Sequence, residues 1–392
     1  MRRSSGTSRA CAVVQPFQWR RRRGRGRQGA ARTWAAVAAA EDGNAAAGDM
    51  AAGDNAAGEE DAAADTMQRL SIFLEDDLKN LFNDKGIDSS KYAKDVQFID
   101  PITKYENLEG YLLNIRMLRF LFSPEFILHG IRRTGRDELT TRWSMNMRFN
   151  LLPWRPTVQF TGRSILTVDI ATEKFTRHVD VWDSVEDNQY FSMEALRDLL
   201  GQLLNVRVTP SLETPTFTTL LRYRNFEVRR YDSFSVAETP MAGADAGAAG
   251  LAGGAGFNTL AGYIFGDNAS GKSMSMTTPV FTAPSADDDT GEPVMQFVIG
   301  SDGGAELPAP KSGAVEVKRV DGGRVFAVIQ FSGIPLAGDV DRARQELVDA
   351  MREKNLPTDG RIVLARYNEP TTPPPLKRNE LLMELDPGCV DM

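Results

Sequence analysis

Apolar residues first fall into a periodic pattern near Met67. Leu70, Phe73, Leu74, Leu78, Leu81 and Phe82 follow at spacings of 3, 1, 4, 3 and 1, which places them on one stripe of an amphipathic helix. A second helix is predicted from about Asn107 to Phe122, rich in Leu and Met. Four stretches rich in β-branched and aromatic residues come next: Glu125–Ile131, Thr140–Phe149, Val158–Ile170 and Lys174–Trp182. With turn residues between them, they predict a curved antiparallel sheet. A helix over Ser192–Leu204 closes the unit, which reads as an α+β domain over 67–206.

The second half repeats itself. Phe226-Glu227-Val228-Arg229-Arg230-Tyr231-Asp232 matches Val315-Glu316-Val317-Lys318-Arg319-Val320-Asp321 at four of seven positions, and a fifth keeps its positive charge. Each copy is followed by an apolar strand, Phe234–Ala237 or Val325–Phe331. A helix comes next in each. Phe257, Leu260, Ala261 and Ile264 share a face in the first; Val340, Ala343, Leu347, Ala350 and Met351 do so in the second, with Asp339 as its expected N-cap. Pro279–Thr282 with Val294–Ile299, and Arg361–Tyr367 with Leu381–Leu385, supply two more strands per copy. The unit is ββαββ, used twice. Two such halves predict one sheet with both helices on one face and a groove along the pseudo-twofold axis.

Composition changes the picture at the N-terminus. The first 40 residues hold ten arginines and no acid, with much Ala, Ser and Thr. This is the pattern of an organelle transit peptide, with Val37-Ala38-Ala39-Ala40 as the processing region. Residues 41–66 are Ala, Gly, Asp and Glu and read as a disordered linker. Removing the ten arginines leaves 36 basic against 53 acidic residues, a net charge of −17. Such acidity is a poor match for nucleic acid. No run of about 18 apolar residues is present to span a bilayer. Two cysteines, Cys11 and Cys389, are too few for a disulfide framework or a cysteine metal site.

Candidate chemistry is sparse. Gly266-Asp267-Asn268-Ala269-Ser270-Gly271-Lys272-Ser273 fits the phosphate-loop pattern G-x-x-x-x-G-K-[ST]. A phosphate loop needs a strand before it and a helix after, whereas here a helix precedes and an extended segment follows, so the string reads as a turn. The Gly/Ala run at 242–256 reads as a flexible insertion. His178, Asp180 and Trp182 alternate on one strand face. Strand rise separates successive members by about 7 Å, too far for a tight pair without side-chain reach, so His178 reads as structural.

Two family resemblances add to this. Tyr92-Ala93-Lys94-Asp95-Val96-Gln97-Phe98-Ile99-Asp100-Pro101, with the order of elements around it, resembles the SnoaL-like cone over 67–206. That fold hosts both enzymes and binders. The second half, 207–392, resembles the SOUL heme-binding family. The matching stretches are Leu212–Pro215 leading into Phe226–Thr239, Gly256–Gly266, Met276–Val280, Leu364–Pro370 and Arg378–Glu380. A SnoaL-like unit joined to a SOUL unit behind a transit peptide looks like the plastid branch of plants and green algae.

The resemblance implies a chloroplast protein that binds heme or a free porphyrin loosely, as carrier or buffer, with no catalytic residue and no metal site. Implied partners are the tetrapyrrole and proteins of its metabolism; peripheral thylakoid or lipid-droplet association is also implied. A tetrapyrrole needs an apolar wall and a cation at its rim. Phe257, Tyr263 and Met276 are the expected wall; Lys272, Lys377 and Arg378, the last two after Pro373-Pro374-Pro375, are the expected rim. The SOUL half has no histidine, since His129 and His178 both lie in the first half. Axial ligation from this domain would fall to Met241, Met274, Met276 or Tyr263, or to nothing. Two alternatives stand beside this: a scaffold, or an enzyme acting on a small hydrophobic substrate in the SnoaL-like pocket. The enzyme reading fails if Trp143, Trp182 and Phe149 fill that pocket.

Overall fold

The computed structural model describes residues 51–205, 210–241, 254–284, 293–300 and 307–390, with side chains from Glu60 onward. The transit-peptide segment and the Gly/Ala run at 242–253 lie outside the described residues. Helix α1, Ala51–Leu78, begins inside the stretch expected as a linker. Alanine has the strongest helix propensity of any residue, so a run of it extends a helix that the apolar stripe starts. Leu81 and Phe82 fall just past the helix but still pack on the same cluster as Leu70, Leu74 and Leu78.

Residues 66–392 form one compact unit holding two sheets. The first has six strands: β1 (Tyr92–Ile99), β2 (Lys104–Tyr105), β3 (Phe122–Arg133), β4 (Glu138–Phe149), β5 (Thr157–Asp169) and β6 (Lys174–Trp182). Their order is β2-β1-β6-β5-β4-β3, and β1 runs parallel to β6. Helix α2, Leu108–Leu121, starts where the Asn107 side chain caps Gly110 N–H, and packs over β1 and β3. Helix α3, Met193–Leu203, is capped by Ser192 and lies on β5. A register shift in the β5–β6 pairing leaves Thr176 as an extra residue. That bulge puts Phe175, His178 and Trp182 inside together, although a plain alternation from Phe175 would bury Arg177.

The second sheet has nine strands: β7 (Phe217–Arg222), β8 (Glu227–Tyr231), β9 (Phe234–Pro240), β10 (Val280–Pro284), β11 (Pro293–Gly300), β12 (Glu316–Val320), β13 (Val325–Phe331), β14 (Ile362–Arg366) and β15 (Asn379–Leu385). The order β12-β9-β11-β10-β14-β15-β13-β8-β7 contains the duplication. Glu238 pairs with Gln296, and Val328 with Leu382, at matching positions of the two halves, since the repeat's Glu316 and Glu227 pair with Glu238 and Val328. Thr282 pairs with Leu364, its counterpart in the second half, which marks the pseudo-twofold axis. The first strand of each repeat is exchanged: β8 pairs with β13 of the second copy, and β12 with β9 of the first.

Helix α4 (Ala255–Ile264) covers β9 and β11, and α5 (Ala337–Glu353) covers β13 and β15. Period-two alternation sorts the strands cleanly. Leu381 and Met383 face α5 with Ala343, Leu347 and Met351. Leu382 points the other way, into a cluster with Tyr231, Phe234, Phe281, Phe326 and Tyr367 on the inner face. One expectation is corrected: α5 starts at Ala337 after Leu336, so Asp339 sits in its first turn rather than at the cap. There its charge still complements the helix dipole. Arg222 of β7 makes two hydrogen bonds to Asp198 of α3, at 2.8 and 3.0 Å, and so joins the two sheets.

Candidate functional site

The inner face of the second sheet holds a cavity of about 360 Å³. That is the lower end of the ligand-pocket range of roughly 300–1,000 Å³. Its floor is aromatic. Tyr231 meets Phe326 edge-on at 5.6 Å, and Phe234 lies 6.2 Å from Phe281. Val236, Val363 and Leu382 complete the apolar lining. Cations gather at the rim. Lys318 pairs with Glu238 at 2.8 Å, and Arg324 pairs with Glu384 at 2.7 Å while covering the Phe326 ring. Arg319 and Arg361 are exposed there.

Further along the same face lies a buried ion cluster. Glu380 is fully buried and accepts from Arg229 at 2.9 and 3.1 Å, from Arg378 at 2.6 Å and from the Tyr367 hydroxyl at 2.7 Å. Burial alone would raise the Glu380 carboxyl, but Arg229 and Arg378 bring it down to about 2. Arg229 also holds Glu227 at 2.8 Å and stacks on Phe217. Both charges sit at inward register positions, Arg229 in line with Tyr231 on β8 and Glu380 in line with Leu382 on β15. That placement is the one signal by which the sequence could have revealed them.

The expected wall residues come together, but on the outer face. Phe257, Tyr263 and Met276 all belong to the cluster under α4, and Phe257 meets Phe297 edge-on at 5.1 Å. Tyr263 is buried and donates to the Pro308 carbonyl at 2.8 Å. Met241 and Met274, the other residues considered for axial ligation, pack in the same cluster. Lys272 is exposed on the turn that the phosphate-loop-like string forms. Its N–H goes to Asn268 Oδ1, and the Asn268 amide donates to the Tyr263 and Lys272 carbonyls. The string's amides therefore close on an internal asparagine, as expected of a turn between helix and strand. Lys377 Nζ donates to the Pro370 carbonyl, and Arg378 is drawn into the Glu380 cluster.

The first sheet encloses a smaller cavity, about 70 Å³. His178 Nε2 lies 2.9 Å from Asp180 Oδ1, so side-chain reach closes the gap that strand rise had suggested was too wide. Asp180 Oδ1 also accepts from Ser164 at 2.6 Å, and Tyr111 OH lies 3.0 Å from His178 Nδ1. Asp100 is raised to about 6, by burial and then by the charge of Asp180, against the hydrogen bonds it accepts from Ile102 and Thr103. Trp143 and Trp182 line the cavity, while Phe149 packs on Phe122 instead. The pocket is narrowed but not filled. No cluster of three metal-ligating side chains occurs among the described residues.

Comparison with known proteins follows this division. Residues 212–384 match the family described as SOUL heme-binding protein. Residues 68–178 match a family of uncharacterised conserved proteins, DUF2358. No curated protein matches the chain. Solved structures similar to its N-terminal region include an NTF2-like protein of unknown function from an Exiguobacterium species, at 18% identity and TM-score 0.24, covering 28% of this chain and 98% of that one. A protein assigned as a SnoaL-like polyketide cyclase from Shewanella denitrificans has 17% identity and TM-score 0.23, covering 29% and 81%. An LEH-like epoxide hydrolase from Mycobacterium tuberculosis has 14% identity and TM-score 0.25, covering 37% and 95%.

Proposed function

We propose that this protein binds heme or a free porphyrin in the inner-face cavity of its SOUL domain, as a carrier or buffer in the chloroplast. The observation that carries the reading is the cavity itself: an aromatic floor beside exposed arginines, within the part of the chain that matches a heme-binding family. A tetrapyrrole is a flat apolar disc with two carboxylates on one edge. Tyr231, Phe234, Phe281 and Phe326 would take the disc, and Arg319 and Arg361 would take the carboxylates. The volume suits edge-first insertion, with part of the ring left in solvent. Such a seat has no histidine to offer iron, which favours reversible binding over redox chemistry. The arginine-rich, acid-free start of the chain supports the plastid location. Partners in tetrapyrrole metabolism would follow from a carrier role.

The test is a titration of the purified chain with hemin and with protoporphyrin. A saturable Soret shift or fluorescence quenching at micromolar ligand is expected. No spectral change would overturn the reading. Variants assign the site: Arg361→Glu with Arg319→Glu should weaken binding about tenfold or more, an energy of about 1.4 kcal/mol. If Lys272→Ala with Lys377→Ala weakens it instead, the ligand lies at the outer-face residues Phe257, Tyr263 and Met276. The enzyme alternative has little room, since about 70 Å³ is far below a pocket for a terpenoid-sized substrate.

A further inference from the structure

The cavity in the first sheet has a chemical character of its own. Six aromatic rings line it: Phe82, Phe98, Tyr111, Phe126, Trp143 and Trp182. Two carboxylates, Asp100 and Asp180, face it as well, and among the described residues no lysine or arginine does. Aromatic faces carry negative quadrupole potential, and a carboxylate adds a full charge. We propose that this cavity is a binding site for a small alkylammonium cation, held by the aromatic cage and the Asp180 carboxylate.

The hydrogen bonds specify which atom is available. Asp180 Oδ1 is occupied by His178 and Ser164, and Ser164 in turn accepts from Trp143 Nε1 at 2.9 Å. Asp180 lines the cavity, and its Oδ2 has no hydrogen-bond partner among the described residues. The Tyr111 hydroxyl is buried and needs an acceptor, which His178 Nδ1 provides. In that tautomer Nε2 carries the ring proton and donates it toward Asp180 Oδ1. Asp100 is spent differently: Oδ1 accepts the Ile102 and Thr103 amides and Oδ2 the Thr103 hydroxyl. It contributes field rather than a direct contact.

Size sets the ligand class. One water needs roughly 10–15 Å³ of probe-occupied space, so about 70 Å³ holds a ligand of roughly five heavy atoms. Trimethylammonium and tetramethylammonium fit that limit; a steroid or a polyketide does not. The rings are fixed before the ligand arrives. Phe98 stacks on Tyr111 at 4.9 Å and meets His178 edge-on at 5.1 Å, while Phe126 lies 6.1 Å from Trp143. Leu81, Phe82 and Leu118 line the cavity and are only partly buried, which places its mouth between the segment that follows α1 and the last turn of α2.

The experiment uses the full chain and two ligands of matched shape. Tetramethylammonium chloride and neutral tert-butanol are titrated separately, with potassium chloride as the salt control, and read by tryptophan fluorescence and calorimetry. Saturable binding of tetramethylammonium at least tenfold tighter than tert-butanol is expected. Equal binding of the two, or no saturable signal from the cation, which would mean the cavity holds only water, overturns the proposal. Asp180→Asn should weaken the cation about tenfold and leave tert-butanol unchanged. Should that variant fail to fold, Phe126→Leu provides the second test, with the same selective loss expected. Unchanged cation affinity in a folded variant of either kind overturns the cage.

Discussion

Replacing Glu380 by Gln keeps the shape of the side chain and removes its charge, the one that Arg229 and Arg378 share. Glu380 is fully buried, and Arg229, 1% exposed, and Arg378 both lean on it. In Glu380→Gln, Arg229 keeps only Glu227, and Tyr367 loses a charged acceptor. Breaking a buried pair from one side costs about 3–5 kcal/mol. Titration gives a second route to the number. The carboxyl stands at about 2 in the folded protein against an ordinary value of 4.5. A depressed folded pKa contributes stability that is present above the unfolded pKa and is lost as pH falls through the folded one. At about 1.36 kcal/mol per unit that amounts to about 3 kcal/mol, given up between pH 4.5 and 2. Urea unfolding at pH 7, followed by circular dichroism, should show the variant less stable by roughly 3 kcal/mol, with the difference vanishing near pH 2. The double variant Arg229→Met/Glu380→Leu should regain only part of the loss, because it removes the buried Arg229 charge but leaves Arg378 and the Tyr367 hydroxyl without Glu380. A single-variant loss under about 1 kcal/mol, or a double variant worse than the single, would refute the reasoning.

Asp100 titrates with the opposite sign. Its folded value of about 6 exceeds the ordinary 3.8, so stability is present at acid pH and falls by about 3 kcal/mol as pH rises between them; Asp100→Asn should remove that slope in pH-dependent unfolding. A Cβ on Gly360 would sit 1.9 Å from the Glu384 carbonyl oxygen, so Gly360→Ala should lower stability by about 2 kcal/mol or more in urea melts. Ser192→Ala removes the side-chain cap of α3 at Ala195 N–H and should cost about 1 kcal/mol, read as a lower Tm.

Local features were legible because they depend on residue type at short range. Asn107 and Ser192 announce their helices by capping, and Lys174–Trp182 was read with the bounds it has in the fold. The phosphate-loop-like string was read correctly because a helix before it leaves no room for the strand that chemistry needs. What failed depends on register. The bulge at Thr176 and the closeness of His178 to Asp180 follow from pairing with β5, which alternation alone does not encode. The repeat was visible, but the exchange of β8 and β12 was not, since antiparallel partners are chosen across more than 70 residues. The inner face exists only once the sheet is formed, and its charged residues looked like ordinary strand punctuation. Strands β1 and β7 were not anticipated as strands. β1 is the parallel member of an otherwise antiparallel sheet, and β7 is an edge.

The exchanged strands bear on how this half can fold and be cut. Neither repeat owns a complete set of neighbours: without residues 315–320 the edge of β9 lies open, and without β8 so does that of β13. An isolated repeat would therefore present an unpaired strand edge, the template for aggregation or for swapping with a second copy. Two copies of one repeat could satisfy each other by the same exchange, so a homodimer of the ββαββ unit is the simplest ancestor of the fused pair. In the fused chain the contacts that complete each half are non-local, which delays them in folding and binds the two halves into a single cooperative transition.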